Sequence, residues 1–341
     1  MKFSDIHDDA SLQEFMTTPS ASLARTMAKV EGDIIGLGAT GKMGVELMQL
    51  IRNADLAAGK RRHYFVASTF SDPANRTHLE SLGVKTFRGD LSDPRFLKKL
   101  PVVKNVFYMA GFKFGTSGAY QRAYHLNVIM PYLVGEHFRR STIVCFATSN
   151  FYPSVDVKDG GAVETTPVEP RGIYGWTALG RENAFRIIAE KYGTKLSFFR
   201  LGYAQHLNYG VLVDLARMIK AQDRIELGYS HVCLVSQRDA NEVAIKSLTK
   251  AASTPWIVNC CGPICDLADV TRAMAARMGR KIKVIKSRDI TAHVQSDLLA
   301  VRSFGAYRDR PDGMIAAAAN WVMHDGKYWN KPTGFLNKHG Y

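Results

Sequence analysis

Nine residues, Gly36-Leu37-Gly38-Ala39-Thr40-Gly41-Lys42-Met43-Gly44, restrict this chain more than any other stretch. They lie between an apolar run over 33–37 that reads as a strand and a run over 45–51 that reads as a helix. Glycine lets the backbone turn tightly there, and lets a phosphate approach without meeting a Cβ. The helix that follows presents unbonded N–H groups and the positive end of its dipole. A strand, a glycine-rich turn and a helix in that order suit the pyrophosphate of a dinucleotide. Two registers satisfy the spacing. Gly36, Gly38 and Gly41 fit G-x-G-x-x-G, whereas Gly38, Gly41 and Gly44 fit G-x-x-G-x-x-G.

The segments that follow repeat the same alternation. Apolar strands are expected at 63–68, 84–87, 106–109, 142–147 and 196–201, with helices at 74–82 and after Gly175. That rhythm predicts an α/β fold, a Rossmann-type doubly wound parallel sheet with helices on both faces. Its strand ends then form one ligand-binding edge. Before the first strand, residues 1–31 read as a helical extension, with Ser11 capping one short helix and Pro19-Ser20 starting a second. The nucleotide-binding domain is assigned to 32–205. Residues 206–341 are assigned mainly to a smaller α/β substrate lobe, with 238–262 returning to the first domain. Within that lobe helices are expected at 211–219, 240–251 and 269–278, and strands at 233–236, 257–260 and 282–285.

Composition excludes several classes. With 46% apolar and 22% charged residues, the chain is neither disordered nor membrane-spanning. Acidic residues Asp5, Asp8 and Asp9 near the start are unlike a targeting peptide, so a cytoplasmic location is expected. The five cysteines form no paired framework, and neither Cys261 and Cys265 nor the ten histidines have metal-ligand spacing. The net charge of +14 invites a nucleic-acid reading, but the basic residues are scattered. The densest group, Lys60-Arg61-Arg62-His63, is expected to be a solvated turn. The charge is better explained as a field favouring anionic cofactors and substrates. Trp321, Tyr328 and Trp329 read as core or subunit contacts.

From Asp33 to Gly262 the motifs resemble the extended short-chain dehydrogenase/reductase family, which holds UDP-galactose epimerase and the sugar-nucleotide dehydratases. Gly38-Ala39-Thr40-Gly41-Lys42-Met43-Gly44 is similar to its cofactor loop and favours the second register. Gly89-Asp90-Leu91 is similar to the adenine-contacting segment, and Met109-Ala110-Gly111-Phe112-Lys113 to the fourth-strand motif beside the cofactor ribose. Asn127 matches a structural Asn of the family. The resemblance implies that Gly38, Thr40, Gly41, Lys42, Met43, Gly44, Ser68, Asp90, Leu91, Ala110, Gly111, Asn127 and Tyr174 form the cofactor site. The second strand ends in Ala67-Ser68-Thr69-Phe70, without the acid that binds NAD ribose hydroxyls. NAD or NADP is expected, with a lean to NADP from that missing acid, from Asp72 coming late and from Arg76 lying near.

Ala147-Thr148-Ser149-Asn150-Phe151-Tyr152-Pro153 resembles the segment that supplies the catalytic Ser or Thr, and puts Thr148 in that role. Tyr174-Gly175-Trp176-Thr177-Ala178 resembles the Tyr-x-x-x-Lys helix, with Tyr174 as acid/base. A free tyrosine titrates at about 10, so it needs a neighbouring positive charge to work as a base near neutrality. The family uses the Lys four residues on, where this chain has Ala178. Lys113 is the preferred substitute, with Arg181, seven residues after Tyr174 on the same helix face, as another.

Ser149 and Asn150 replace the Asp-Glu pair of the dehydratases, which favours dehydrogenation or epimerisation over elimination. Ser149, Asn150, Tyr203 and His206 are candidate substrate contacts, with Asn208 on the same loop. The resemblance thus implies an NAD(P)-dependent oxidoreductase or epimerase acting on a sugar, sugar acid or related polyol, and a possible homodimer. The competing reading is a catalytically silent dinucleotide-binding sensor or scaffold.

Overall fold

The computed structural model describes residues 1–113, 115–331, 333 and 335. Seven strands make one parallel sheet: β1 (Ile34–Leu37), β2 (Tyr64–Ser68), β3 (Lys85–Arg88), β4 (Asn105–Tyr108), β5 (Thr142–Thr148), β6 (Lys195–Leu201) and β7 (Trp256–Cys260). Their order across the sheet is β7-β6-β5-β4-β1-β2-β3. The central strands β1 and β4 are buried at every position, as a sheet covered on both faces demands. The chain reverses its winding between β1 and β4, and a crevice opens beyond their C-terminal ends, where open α/β sheets bind ligands.

On one face lie α1 (Asp9–Thr17), α2 (Ala21–Met27), α3 (Gly44–Ala57) and α4 (Pro73–Ser81). On the other, a short helix at Tyr120–Tyr124 and a π turn at His125–Ile129 run into α5 (Met130–His137), which packs beside α6 (Gly172–Tyr192). The stretch before β5 gave little helical signal in the sequence, because Pro131 and Gly135 interrupt it. Pro131 is tolerated because it sits in the first turn of α5.

The second lobe has its own core, built by α7 (Val211–Ala221), α9 (Leu267–Arg277) and α10 (Pro311–Met323). Residues 237–260 leave it. Helix α8 (Gln237–Lys246) packs on α2 and α3, and β7 extends the main sheet beside β6.

Several local expectations are revised. Asp8, not Ser11, caps α1; Ser11 is the third residue of the helix and completes a reciprocal capping box. The expected strand at 233–236 is two short pieces, His231–Cys233 and Val235–Ser236, pairing with different neighbours. The expected helix at 240–251 starts earlier, capped by Ser236, and ends at Lys246. The N-terminal extension packs on both lobes: Phe15 and Met16 join the second core, while Leu23 and Met27 join that of the sheet. Arg62 is not solvated. It bonds Asp55 at 2.7 Å and the carbonyls of Val30 and Gly32, tying the end of the extension to β2.

Candidate functional site

The glycine turn lies at the end of β1, and each glycine does a different job. Gly36 is inside β1, where a Cβ would strike Ala39 and Met48. Gly38 has φ +70°, and a Cβ there would come within 2.6 Å of the Ala110 backbone. Gly44 begins α3 so close to Ala39 that a Cβ would lie 2.5 Å from its backbone. At Gly41 a Cβ would meet nothing within 4 Å, so this point of the turn faces open space at the start of α3. A Cβ is thus excluded at Gly36, Gly38 and Gly44, Gly41 is open, and both glycine registers are compatible with this turn.

Around it the other expected cofactor residues are ordered by local bonds. Ser68, buried at the end of β2, shares a 2.6 Å hydrogen bond with the Thr40 hydroxyl. Asp90 accepts from the backbone and hydroxyl of Ser92, forming the turn that places buried Leu91. Asn127 is fully buried; its amide accepts from the Phe112 N–H and donates to the Phe112 carbonyl, which shapes the backbone after Ala110 and Gly111. Asp72 caps α4 through the Ala74 N–H, and Arg76 is turned to Glu80 and Thr86.

A cleft of about 220 Å³ adjoins the turn, lined by Lys42, Met43, Lys113, Thr148, Ser149, Asn150, Tyr174, Tyr203 and His293, among others. Strand β5 delivers Thr148 from one side and the first turn of α6 delivers Tyr174 from another. The Thr148 Oγ accepts from the Asn150 N–H at 3.1 Å, which leaves its O–H to donate elsewhere. Lys113 enters from the loop after β4, with its Nζ 5.4 Å from the centre of the Tyr174 ring. Lys42 reaches the same cleft, its Nζ 3.6 Å from the centre of the Tyr209 ring. Burial first, then repulsion by Lys113 and Lys331, pushes the Lys42 ammonium down to about 7.

The position expected to hold a lysine is closed. Ala178 is buried against Phe151 and Tyr174, so apolar packing fills that turn of α6. Arg181 does not replace it. Its guanidinium bonds the Phe146 carbonyl at 3.0 Å and the Asn127 side chain at 2.9 Å, crowding Gly111 from beneath. His206 lies outside this cleft and borders a neighbouring one of about 400 Å³ that Thr40, Gly41 and Lys42 also line. Both of its ring nitrogens are engaged: Nδ1 accepts from the Asn208 N–H at 3.0 Å and Nε2 meets Glu46 at 2.9 Å. Trp329 stacks on its ring at 4.9 Å. That stacking, and the burial of Trp321 in the second core, account for these aromatic residues within one chain.

Sequence reasoning missed His293. The only signal was one histidine in an irregular stretch, and its partners across the cleft are more than a hundred residues away in sequence. Among the described residues no group of three or more metal-ligating side chains forms, and the five cysteines are free thiols.

Comparison with known proteins agrees with this architecture. No protein-family profile matches the chain. A curated NAD(P)H azoreductase from Xenophilus azovorans is 25% identical over 254 residues, spanning 74% of this chain and 76% of that protein. A UDP-galactose 4-epimerase structure superposes with a TM-score of 0.67 at 17% identity, over 86% of this chain and 99% of that one. A short-chain dehydrogenase/reductase superfamily protein from Agrobacterium tumefaciens with bound NAD reaches 0.68 at 17% identity, over 86% and 98%. The UDP-glucose 4-epimerase of Thermus thermophilus, in complex with NAD, gives 0.67 at 19%, over 84% and 98%. The chain has the fold of these NAD-dependent epimerases and short-chain dehydrogenase/reductases.

Proposed function

We propose that this protein is an NAD(P)-dependent oxidoreductase or epimerase acting on a sugar, sugar acid or related polyol. The observation that carries this reading is the meeting of Tyr174, Thr148 and Lys113 on one cleft beside the glycine turn. Tyr174 exchanges a proton with a substrate hydroxyl, and Thr148 hydrogen-bonds the same oxygen and holds it in line. Lys113 supplies the positive charge that favours the phenolate, in place of a lysine at position 178. The nicotinamide dinucleotide, when bound, gives or takes the hydride. Gly38, Gly41 and Gly44 admit its pyrophosphate, and Ser68, Asp90 and Leu91 border its adenosine. Between the two dinucleotides we favour NADP, since no acid stands ready at the end of β2. Ser149, Asn150 and Tyr203 give the cleft a wall of hydrogen-bonding groups suited to a polyhydroxylated substrate.

Exposed apolar side chains on the paired helices, Trp176 at 57% and Ile187 at 50% exposure on α6 with Ile129 at 49% beside them, support a homodimer through this face. Light scattering on the purified protein tests that assembly.

The activity is tested by mixing protein with NAD or NADP and following reduced-cofactor absorbance against sugars, sugar acids and polyols. Turnover that disappears in Tyr174→Phe is expected. Tight cofactor binding with neither turnover nor epimerised product would favour the silent sensor instead.

A further inference from the structure

His293 lies on the strip that connects the second lobe back to the sheet. Residues Thr291–Ala292 pair antiparallel with Val155–Asp156, in the loop that follows β5. One residue further on, the Val294 carbonyl accepts from the Ala162 N–H at 2.9 Å, and the Ser296 N–H donates to the Ala162 carbonyl at 2.9 Å. The strip is thus pinned on both sides of His293. Side chains alternate along such an extended segment. Ala292 and Val294, both fully buried, point into a small apolar cluster with Cys233 and Cys261. His293 takes the opposite face, and its ring lines the cleft that holds Thr148, Lys113 and Tyr174.

Two further facts bear on its role. The Nε2 of His293 is shut off from bulk water and has no hydrogen-bond partner among the described residues. Burial also pushes the imidazole down to about 4, opposed by a hydrogen bond to the Ser149 backbone and reinforced by the positive charges of Arg171 and Lys113. At neutral pH the ring is a neutral hydrogen-bonding group whose Nε2 needs a partner, and buried polar atoms without one are costly.

We propose that His293 is a substrate-binding residue, hydrogen-bonding a hydroxyl of the molecule whose reacting oxygen lies between Tyr174 and Thr148. The proposal rests on the reading of the cleft as an oxidoreductase or epimerase site and adds a specificity contact from the second lobe. A site that bonds a hydroxyl discriminates against ligands that do not present one, so His293 selects for a polyhydroxylated substrate.

The test compares wild-type protein with His293→Gln and His293→Leu, using NADP and NAD with D-galactose, D-galacturonate and sorbitol. The Gln variant keeps a hydrogen-bonding side chain, and the Leu variant does not. KM is expected to rise about tenfold in His293→Leu. It should stay within about threefold of wild type in His293→Gln, with the dissociation constant for reduced cofactor unchanged in both. In parallel, ¹⁵N-histidine spectra of the cofactor-loaded protein are recorded with each sugar, and the His293 signal is identified by its loss in the Gln variant. A shift of that signal on adding sugar supports the contact. Turnover with an unchanged KM in His293→Leu overturns the proposal and leaves the proposed function standing. A shift in the His293 signal with no turnover and no epimerised product removes the function but keeps the contact. Neither shift nor KM change with any of the three sugars overturns the assignment. A cofactor affinity that falls in step with KM would make the residue structural.

Discussion

The Lys113 ammonium stands over the Tyr174 ring, 5.4 Å from its centre, although Lys113 follows β4 and Tyr174 lies in the first turn of α6. In the proposed mechanism this cation, from the loop after β4, takes the part that a lysine on α6 would otherwise play. In Lys113→Ala the acid-side limb of the kcat profile is expected to move to higher pH, with activity at pH 7 falling about tenfold or more. Lys113→Arg should retain most of the activity. An unchanged pH profile in the Ala variant would exclude this cation.

The glycine turn separates folding from binding. Gly38→Ala places a Cβ at φ +70° against Ala110, and should cost about 2–4 kcal/mol, read from urea midpoints. Gly41→Ala faces open space and should leave stability within about 1 kcal/mol of wild type while weakening NAD(P)H binding, measured by cofactor fluorescence. Equal losses of stability in both variants would show that Gly41, like Gly38, is required by the fold rather than by the ligand.

Beneath the cleft, Arg200 and Glu182 form a two-pronged buried pair at 2.9 and 2.8 Å. The same arginine donates to the Tyr152 hydroxyl, and Tyr152 follows the Thr148 strand by four residues. Glu182→Gln is expected to cost roughly 3 kcal/mol, because it leaves a buried guanidinium without its countercharge. Thermal unfolding measures it, and a loss below about 1 kcal/mol would mean that water reaches the pair.

His293 makes stability pH-dependent with a definite sign. Unfolded, it takes up a proton near pH 6.5; folded, it resists until about pH 4. Over that window the unfolded state binds more protons, so stability falls as pH falls, by up to about 3 kcal/mol. His293→Gln should lose less stability between pH 7 and pH 4.5 than wild type does, as shown by urea midpoints at the two values. Parallel losses would assign the acid sensitivity elsewhere.

Asp214 secures the segment after α10. It accepts from the Tyr328 hydroxyl at 2.9 Å and from the Thr333 backbone and hydroxyl at 2.7 and 2.6 Å. Thr333 lines the cleft. Asp214→Ala should shift Trp329 fluorescence to longer wavelength and raise substrate KM severalfold, with the free energy of global unfolding changed by less than about 2 kcal/mol. Unaltered fluorescence would show that the aromatic stack alone holds the segment.

The parts of the site that could be read in the sequence are those written in local patterns. The glycine turn, Thr148 at the end of β5 and Tyr174 at the start of α6 each carry their neighbours with them, and the central strands announce themselves as unbroken apolar runs. The parts that could not be read depend on contacts across long separations. His206 shares a loop with Tyr203, yet Glu46, 160 residues earlier, draws its ring away from the cleft. Arg181 lies on the expected helix face, but two turns along that face the neighbour is Asn127 rather than substrate space. His293 has no local pattern at all and is aimed by pairing with Val155–Asp156.

The helix α1 has a consequence for how the molecule is made. Phe15 and Met16 are made well before the residues of α7, α9 and α10 that share their core, which lie roughly 200 to 300 residues downstream. At translation rates of about 5–20 residues per second, that apolar face waits on the order of ten seconds or longer for its lobe. Meanwhile α1 and α2 can both dock on α3, which follows within a few dozen residues; Gln13 donates to Gln49, and the Thr17 carbonyl accepts from Asn53. The nascent chain thus carries, on a domain that can already fold, a docked helix with the Phe15 and Met16 side uncovered, and overproduction at low temperature, where translation slows, would prolong that exposure.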